Sequence, residues 1–399
     1  MLASICRRRR LLLALCQIPA GGEGGAASRI HPNASTVLLS HVYSLTAVAP
    51  NPMPCPTTVS YLVSCGLSPA IAAARKIRIK DTDKADAVCA LLREYGFSEA
   101  EVTRTVGNDP MLLTFDPDRI LRPKLDFIIH SLGFPPRMIA AEPHILARSL
   151  DKHLAPCIDF LRGILGTEDK LRLAVSRIPR ALMADVDNCM RPVVEAFRRH
   201  GLPEESISKL LFIHLGVVMM PLKRIAEAFE DLKELGMCSK ETNFLYAFRV
   251  MCSLKKETWR RKVALYQSFG VSEDVLIRAF KTQPTMLLAS EEAIKKKVRF
   301  FQDTLKLDLS RVIQQPMVLS VSLENCVKPR CAVLSILIRK GKLERKPNLI
   351  PALVTNAKIF SERFVLKHAD DVPDVVKAFE GKIKFKGFTD QELNFLNLK

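Results

Sequence analysis

The chain has 399 residues, 48% of them hydrophobic, and a formal net charge of +18. That leaves ample apolar surface for a continuous core, and the cationic excess points to a partner of dense negative charge, nucleic acid ahead of an anionic membrane surface. No uncharged run is apolar enough to span a bilayer, Leu11 to Leu15 being far too short, and the eleven cysteines fall without C-x-x-C pairs, which excludes a recognisable zinc site or disulfide framework.

Residues 1–55 read as a targeting segment and leader. Arg7 to Arg10 precede a short leucine run, and Glu23 is the only acid before Asp81. An Arg-rich, acid-poor start is the pattern of an organelle transit peptide, with the mitochondrion favoured over the chloroplast by the arginine cluster. Beyond residue 60 the chain still carries 55 basic residues against 41 acidic ones, a net +14, so the positive charge belongs to the folded part.

From residue 58 to 390 the chain repeats. Gly96-Phe-Ser98 with Glu101 predicts a capped helix start. Pro110 ends that helix, since it lacks an N–H and disfavours helical backbone at Asp109. Asp116 can cap the next helix, and Gly133 can close it in the left-handed conformation. Glycines recur at 96, 133, 166, 201, 236, 270 and 341. Prolines recur at 110, 143, 179, 284 and 316, each with a leucine three residues on and a capping residue six on: Asp116, Ser149, Asp185, Ser290 and Ser322. A second proline lies thirteen on at Pro123, Pro156, Pro192 and Pro329, whereas the fifth position holds Lys297. Two independent rulers of about 35 residues predict an all-α fold, an α-solenoid forming a curved superhelix. The repeats near His214 and Arg249 lack the turn proline, so regular geometry is not expected there. Gly66-Leu-Ser68-Pro69 is a worn opening copy, and Gly387-Phe-Thr389 starts a repeat that residues 391–399 leave as a tail.

The longer helices carry basic residues near the second-proline position. They are Arg122, Lys124, Arg191, Lys223, Arg224, Lys255, Lys256, Arg260, Arg261, Lys262, Lys295, Lys296, Lys297, Arg299, Lys328 and Arg330. Equivalent positions align along one edge of a solenoid, so these sixteen are expected to be solvated and to follow a phosphate backbone. Trp259, the only tryptophan, is expected to anchor the core rather than stack on a base. His153 and Cys157, four apart, are two ligands too few for a metal site and are expected to pack. Glu204-Glu205 and Glu291-Glu292 fall in first helical turns, where the macrodipole favours acids.

No Gly-rich phosphate loop, nucleophile elbow or H-E-x-x-H occurs, so no enzyme, cofactor or small-molecule substrate is expected. The Pro-x-apolar-Leu turn, the capped second helix and the Gly-Phe-Ser restart resemble the mitochondrial transcription termination factor (mTERF) family. The opening Ser60-Tyr-Leu-Val-Ser-Cys-Gly-Leu-Ser68-Pro69, with Gly96-Phe97-Ser98 after it, is similar to plant members. The resemblance implies a monomeric organellar protein that binds double-stranded DNA, or RNA, and acts on transcription, its termination or splicing. It fixes no base-contacting residue. A protein-binding scaffold is the rival reading, and the two differ in salt dependence. Pentatricopeptide and tetratricopeptide repeats fit less well, since neither needs a proline-leucine turn at mid-repeat.

Overall fold

The computed structural model describes residues 55–75 and 77–396. The leader expected over residues 1–55 lies almost wholly outside the described residues, as do the last three residues of the expected tail. Every regular element among the described residues is helical. The chain forms two compact units. Within the described residues, one comprises 55–191 with 211–219 and the other 192–210 with 220–396.

The repeat is built as its sequence chemistry dictates. In the first unit Ser98 and Glu101 form a reciprocal capping box that starts helix Glu99–Asn108. Asp109 accepts from the Met111 N–H and opens the tight turn Pro110–Thr114, which places Leu113 in the core. Asp116 then accepts from the Arg119 N–H at 2.8 Å and starts the longer helix. All five capping residues do this: Ser149 takes the Lys152 N–H, Asp185 that of Asn188, Ser290 that of Ala293 and Ser322 that of Asn325. The turn leucines Leu113, Leu146, Leu182, Leu287 and Leu319 are all buried. The glycines at 66, 96, 133, 166, 201, 236, 270 and 341 all have positive φ, the conformation that costs a side-chain-bearing residue most.

The second proline shapes the helix start. A proline inside a helix removes one N–H and crowds the carbonyl four residues back. Behind Asp116, Ser149, Asp185 and Ser322, each followed seven residues later by proline, the first turn is widened. There the cap carbonyl accepts from the N–H five residues on: Leu121, Leu154, Met190 and Val327. The helix behind Ser290 has Lys297 instead of proline, and the Ser290 carbonyl accepts from Ile294, four residues on. One extra residue in the turn relieves the proline without breaking the helix.

The two repeats without a turn proline part ways. Near His214 the tight turn survives as Leu215–Met219. Near Arg249 helix Phe244–Ser253 runs through the expected turn, which no missing N–H interrupts. In the same unit Phe197, Phe229, Phe244 and Phe248 form an aromatic cluster, with Phe197 edge-on to Phe248 at 5.7 Å. At the end of the chain Thr389 and Glu392 form a second capping box that starts helix Asp390–Phe395. Buried Glu392 accepts from Ser335 Oγ and Arg339 Nε, tying that helix to Lys328–Arg339.

Candidate nucleic-acid interface

The sixteen candidate cations fall into distinct environments, and register explains most of the division. Lys124, Lys262, Lys297 and Arg330 are buried at 4–9% exposure. They lie seven or eight residues after the start of their longer helices. Lys124 Nζ donates to the Leu146 carbonyl at 2.6 Å and Lys262 Nζ to that of Leu287 at 2.5 Å. Lys297 Nζ donates to the Leu319 carbonyl, and Arg330 to Leu353 and Thr355. Leu146, Leu287 and Leu319 are turn leucines of the following repeat. Arg224 reaches the same region of its neighbour, donating to the Met251 and Leu254 carbonyls. The expectation that these five side chains are solvated is therefore corrected. A carbonyl released from regular helix bonding at a tight turn must find a donor, and at Leu146, Leu287 and Leu319 a lysine from the preceding repeat supplies it. Burial holds the Lys124, Lys262 and Lys297 amines below the usual lysine range.

A second rung lies six residues after the cap and faces outward. It holds Arg122, Arg191, Arg261, Lys296 and Lys328, each exposed or half-exposed. Four of them pair with a carboxylate one turn back on their own helix. Arg122 meets Asp118 at 2.9 Å, Arg191 meets Asp187 at 3.1 Å, Arg261 meets Glu257 at 3.1 Å and Lys328 meets Glu324 at 2.6 Å. At the fifth position Glu292 is taken by Lys295 at 2.8 Å, and no carboxylate among the described residues lies within ion-pair distance of Lys296. Arg122 also bonds Glu94 and Arg261 also bonds Glu291, both across to another helix. Such exposed pairs contribute about 0–1 kcal/mol and exchange readily for another anion.

The remaining candidates lie around these rungs. Lys223, Lys255 and Arg299 are exposed, and no carboxylate among the described residues lies within ion-pair distance of them. Lys256 bonds Asp231 at 3.5 Å, which Arg224 also approaches at 3.7 Å. Arg260 is half-buried. Trp259 is a core residue at 5% exposure, edge-on to Phe280 at 5.0 Å. His153 and Cys157 do not converge on a common point: His153 Nε2 lies 2.9 Å from the Leu182 carbonyl, and Cys157 Sγ faces Met190 Sδ. His153 thus occupies the turn-carbonyl role held elsewhere by lysine or arginine. No group of three or more potential metal ligands occurs among the described residues.

Comparison with known proteins follows from this repeated geometry. The mTERF family model matches residues 73–162 and 154–361. The chain belongs to the mTERF family. Two curated mTERF relatives come from Arabidopsis thaliana. One is "Transcription termination factor MTERF8, chloroplastic", 21% identical over 231 residues, covering 56% of this chain and 46% of the relative. The other is "Transcription termination factor MTERF15, mitochondrial", 22% identical over 250 residues, covering 61% of this chain and 55% of the relative. The chain thus spans about half the length of the curated relatives it matches. Both cationic rungs of this mTERF chain, from Arg122 to Arg330, lie inside the matched residues.

Sequence reasoning passed over two links in this mTERF fold. Half-buried Arg75 donates to the Gly107 carbonyl, and buried Asp109 meets His144 Nδ1 at 2.9 Å. Each joins residues more than thirty apart in sequence, and neither repeats often enough to leave a periodic signal.

Proposed function

We propose that this mTERF chain is a non-enzymatic regulator of organelle gene expression. In this reading it binds double-stranded DNA through its exposed cations and acts on transcription or its termination, in the mitochondrion. The observation that carries the reading is the outward rung. Arg261, Lys296 and Lys328 recur at one register position in three successive repeats of a single compact unit. A phosphate arriving at Arg261 or Lys328 replaces a weak intramolecular carboxylate, and at all three positions it releases counterions from the duplex.

Duplex is favoured over single-stranded nucleic acid by the placement of the aromatic residues. Proteins that hold single strands stack bases on exposed rings. Among the described residues no Phe, Tyr or Trp is exposed. The buried rung has a supporting part, since its cations tie the Leu146, Leu287 and Leu319 turns to the repeat before each and so help fix the spacing of the outward cations. The names of the two relatives, one chloroplastic and one mitochondrial, support an organellar setting. Crosslinking the protein in organelle extract and sequencing the attached nucleic acid tests the reading. Recovery of discrete duplex DNA segments is expected, whereas recovery of RNA alone, or of no nucleic acid, would overturn it.

A further inference from the structure

The compact unit that ends the chain contains a cavity of about 320 Å³, lined by none of the rung cations. One wall is the segment Arg345, Lys346, Pro347 and Asn348, and the rest comes from the short helical segments that follow, from Leu349 to Val365, including Pro351, Thr355, Ile359 and Arg363. No carboxylate lines it. The nearest acids in sequence are already matched, Glu344 to Lys367 at 3.5 Å and Glu362 to Lys358 at 3.9 Å. Arg345 and Arg363 are both exposed, and no carboxylate among the described residues lies within ion-pair distance of either. Arg363 lies over the Phe364 ring at 5.0 Å, which steadies its guanidinium. Lys346 adds a third cation, its Nζ bonded to the Asn394 carbonyl at 3.2 Å.

Thr355, which lines the cavity, is fixed from the neighbouring helix Lys328–Arg339. Arg330 Nη1 donates to the Leu353 and Thr355 carbonyls, and its guanidinium covers the Phe360 ring at 4.8 Å. Asn348 precedes helix Leu349–Val354 without capping it, so its amide is not spent on that helix. Ile359 is 53% exposed, an unusual position for a large apolar side chain beside three cations.

We propose that this cavity binds a nucleoside monophosphate, as a free nucleotide or as the phosphorylated end of a strand. The two guanidinium forks match a dianionic phosphate bidentately. Pro347, Pro351 and Ile359 offer an apolar bed for a planar base, and Asn348 and Thr355 carry the donors and acceptors that a base edge requires. The volume is at the low end of the roughly 300–1,000 Å³ that small organic ligands occupy. The site does not depend on duplex binding by the rungs, so either reading can fail alone.

Equilibrium dialysis of the purified chain against AMP, GMP, CMP and UMP, with inorganic phosphate as the comparison, tests it. Saturable binding of at least one nucleotide is expected, tighter than inorganic phosphate. The variant R345Q/R363Q should weaken it by roughly tenfold or more. The variant K240Q, at an exposed lysine outside both surfaces, should leave it unchanged, and both variants should melt as the parent does, because the altered side chains are exposed. Displacement of the nucleotide by a 5′-phosphorylated oligonucleotide but not by its 5′-hydroxyl twin would assign the strand end as the source. Displacement by neither would assign the free nucleotide, and both results support the site. Absence of saturable binding, equal binding of inorganic phosphate, or indifference to R345Q/R363Q would overturn it.

Discussion

The ammonium of Lys124 donates to the carbonyl of Leu146 at 2.6 Å, across 22 residues, and Lys297 stands in the same relationship to Leu319. These lysines serve the turn of the next repeat. Removing such a donor leaves a buried carbonyl unsatisfied, which costs about 1–3 kcal/mol. Lys297→Met should therefore lower the unfolding free energy by that amount. Lys296→Met, one residue away on the exposed side, should stay within about 0.5 kcal/mol of the parent. Denaturant melts of the pair decide it, and equal losses would contradict the buried role.

Ser149 and Ser290 each accept one backbone N–H at a helix start, those of Lys152 and Ala293. Ser149→Ala and Ser290→Ala should each cost about 0.5–2 kcal/mol. Thermal unfolding unchanged in both variants would contradict the cap geometry.

His368 is buried, and that burial, with Lys367 and Lys342 nearby, holds its imidazole below the usual range; Asp371 and Glu344 oppose the shift. The unfolded chain then takes up the proton first as the solution is acidified. The stability contributed by neutral His368 is fully present above about pH 6.5 and declines as pH falls from there toward its lower folded value. Unfolding measured at pH 7.5 and pH 5.5 should show a smaller acid-side loss in His368→Gln than in the parent. Parallel losses would exclude His368 as a source.

The parts of the fold legible in the sequence were those fixed by local backbone chemistry. Asp116 and Ser322 were readable as caps because a helix start leaves N–H groups that a short oxygen side chain satisfies. Gly133 and Gly270 were readable because few other residues take positive φ without strain. The candidate interface was only half legible. Lys295, Lys296 and Lys297 are consecutive, yet a helix turns each about 100° from the last. One therefore bonds a neighbouring acid, one faces solvent and one is buried. Burial of Lys297 depends on a carbonyl 22 residues away, which periodicity within one repeat does not reveal. The cavity left no sequence signal either, because Arg345 and Arg363 come together through short, irregular elements outside the repeat ruler.

Duplex binding through the outward rung is tested most directly by the salt dependence of affinity. Arg261, Lys296 and Lys328 of the rung, with the neighbouring exposed Arg299, are changed together to Gln, and binding to duplex DNA is measured at several salt concentrations. Each lost phosphate contact removes about 0.9 from the slope of log affinity against log salt. A slope flattened by up to roughly 3 to 4 units, with affinity weakened similarly for all sequences and unfolding unchanged, is the predicted result. An unchanged slope together with unchanged affinity would contradict the account.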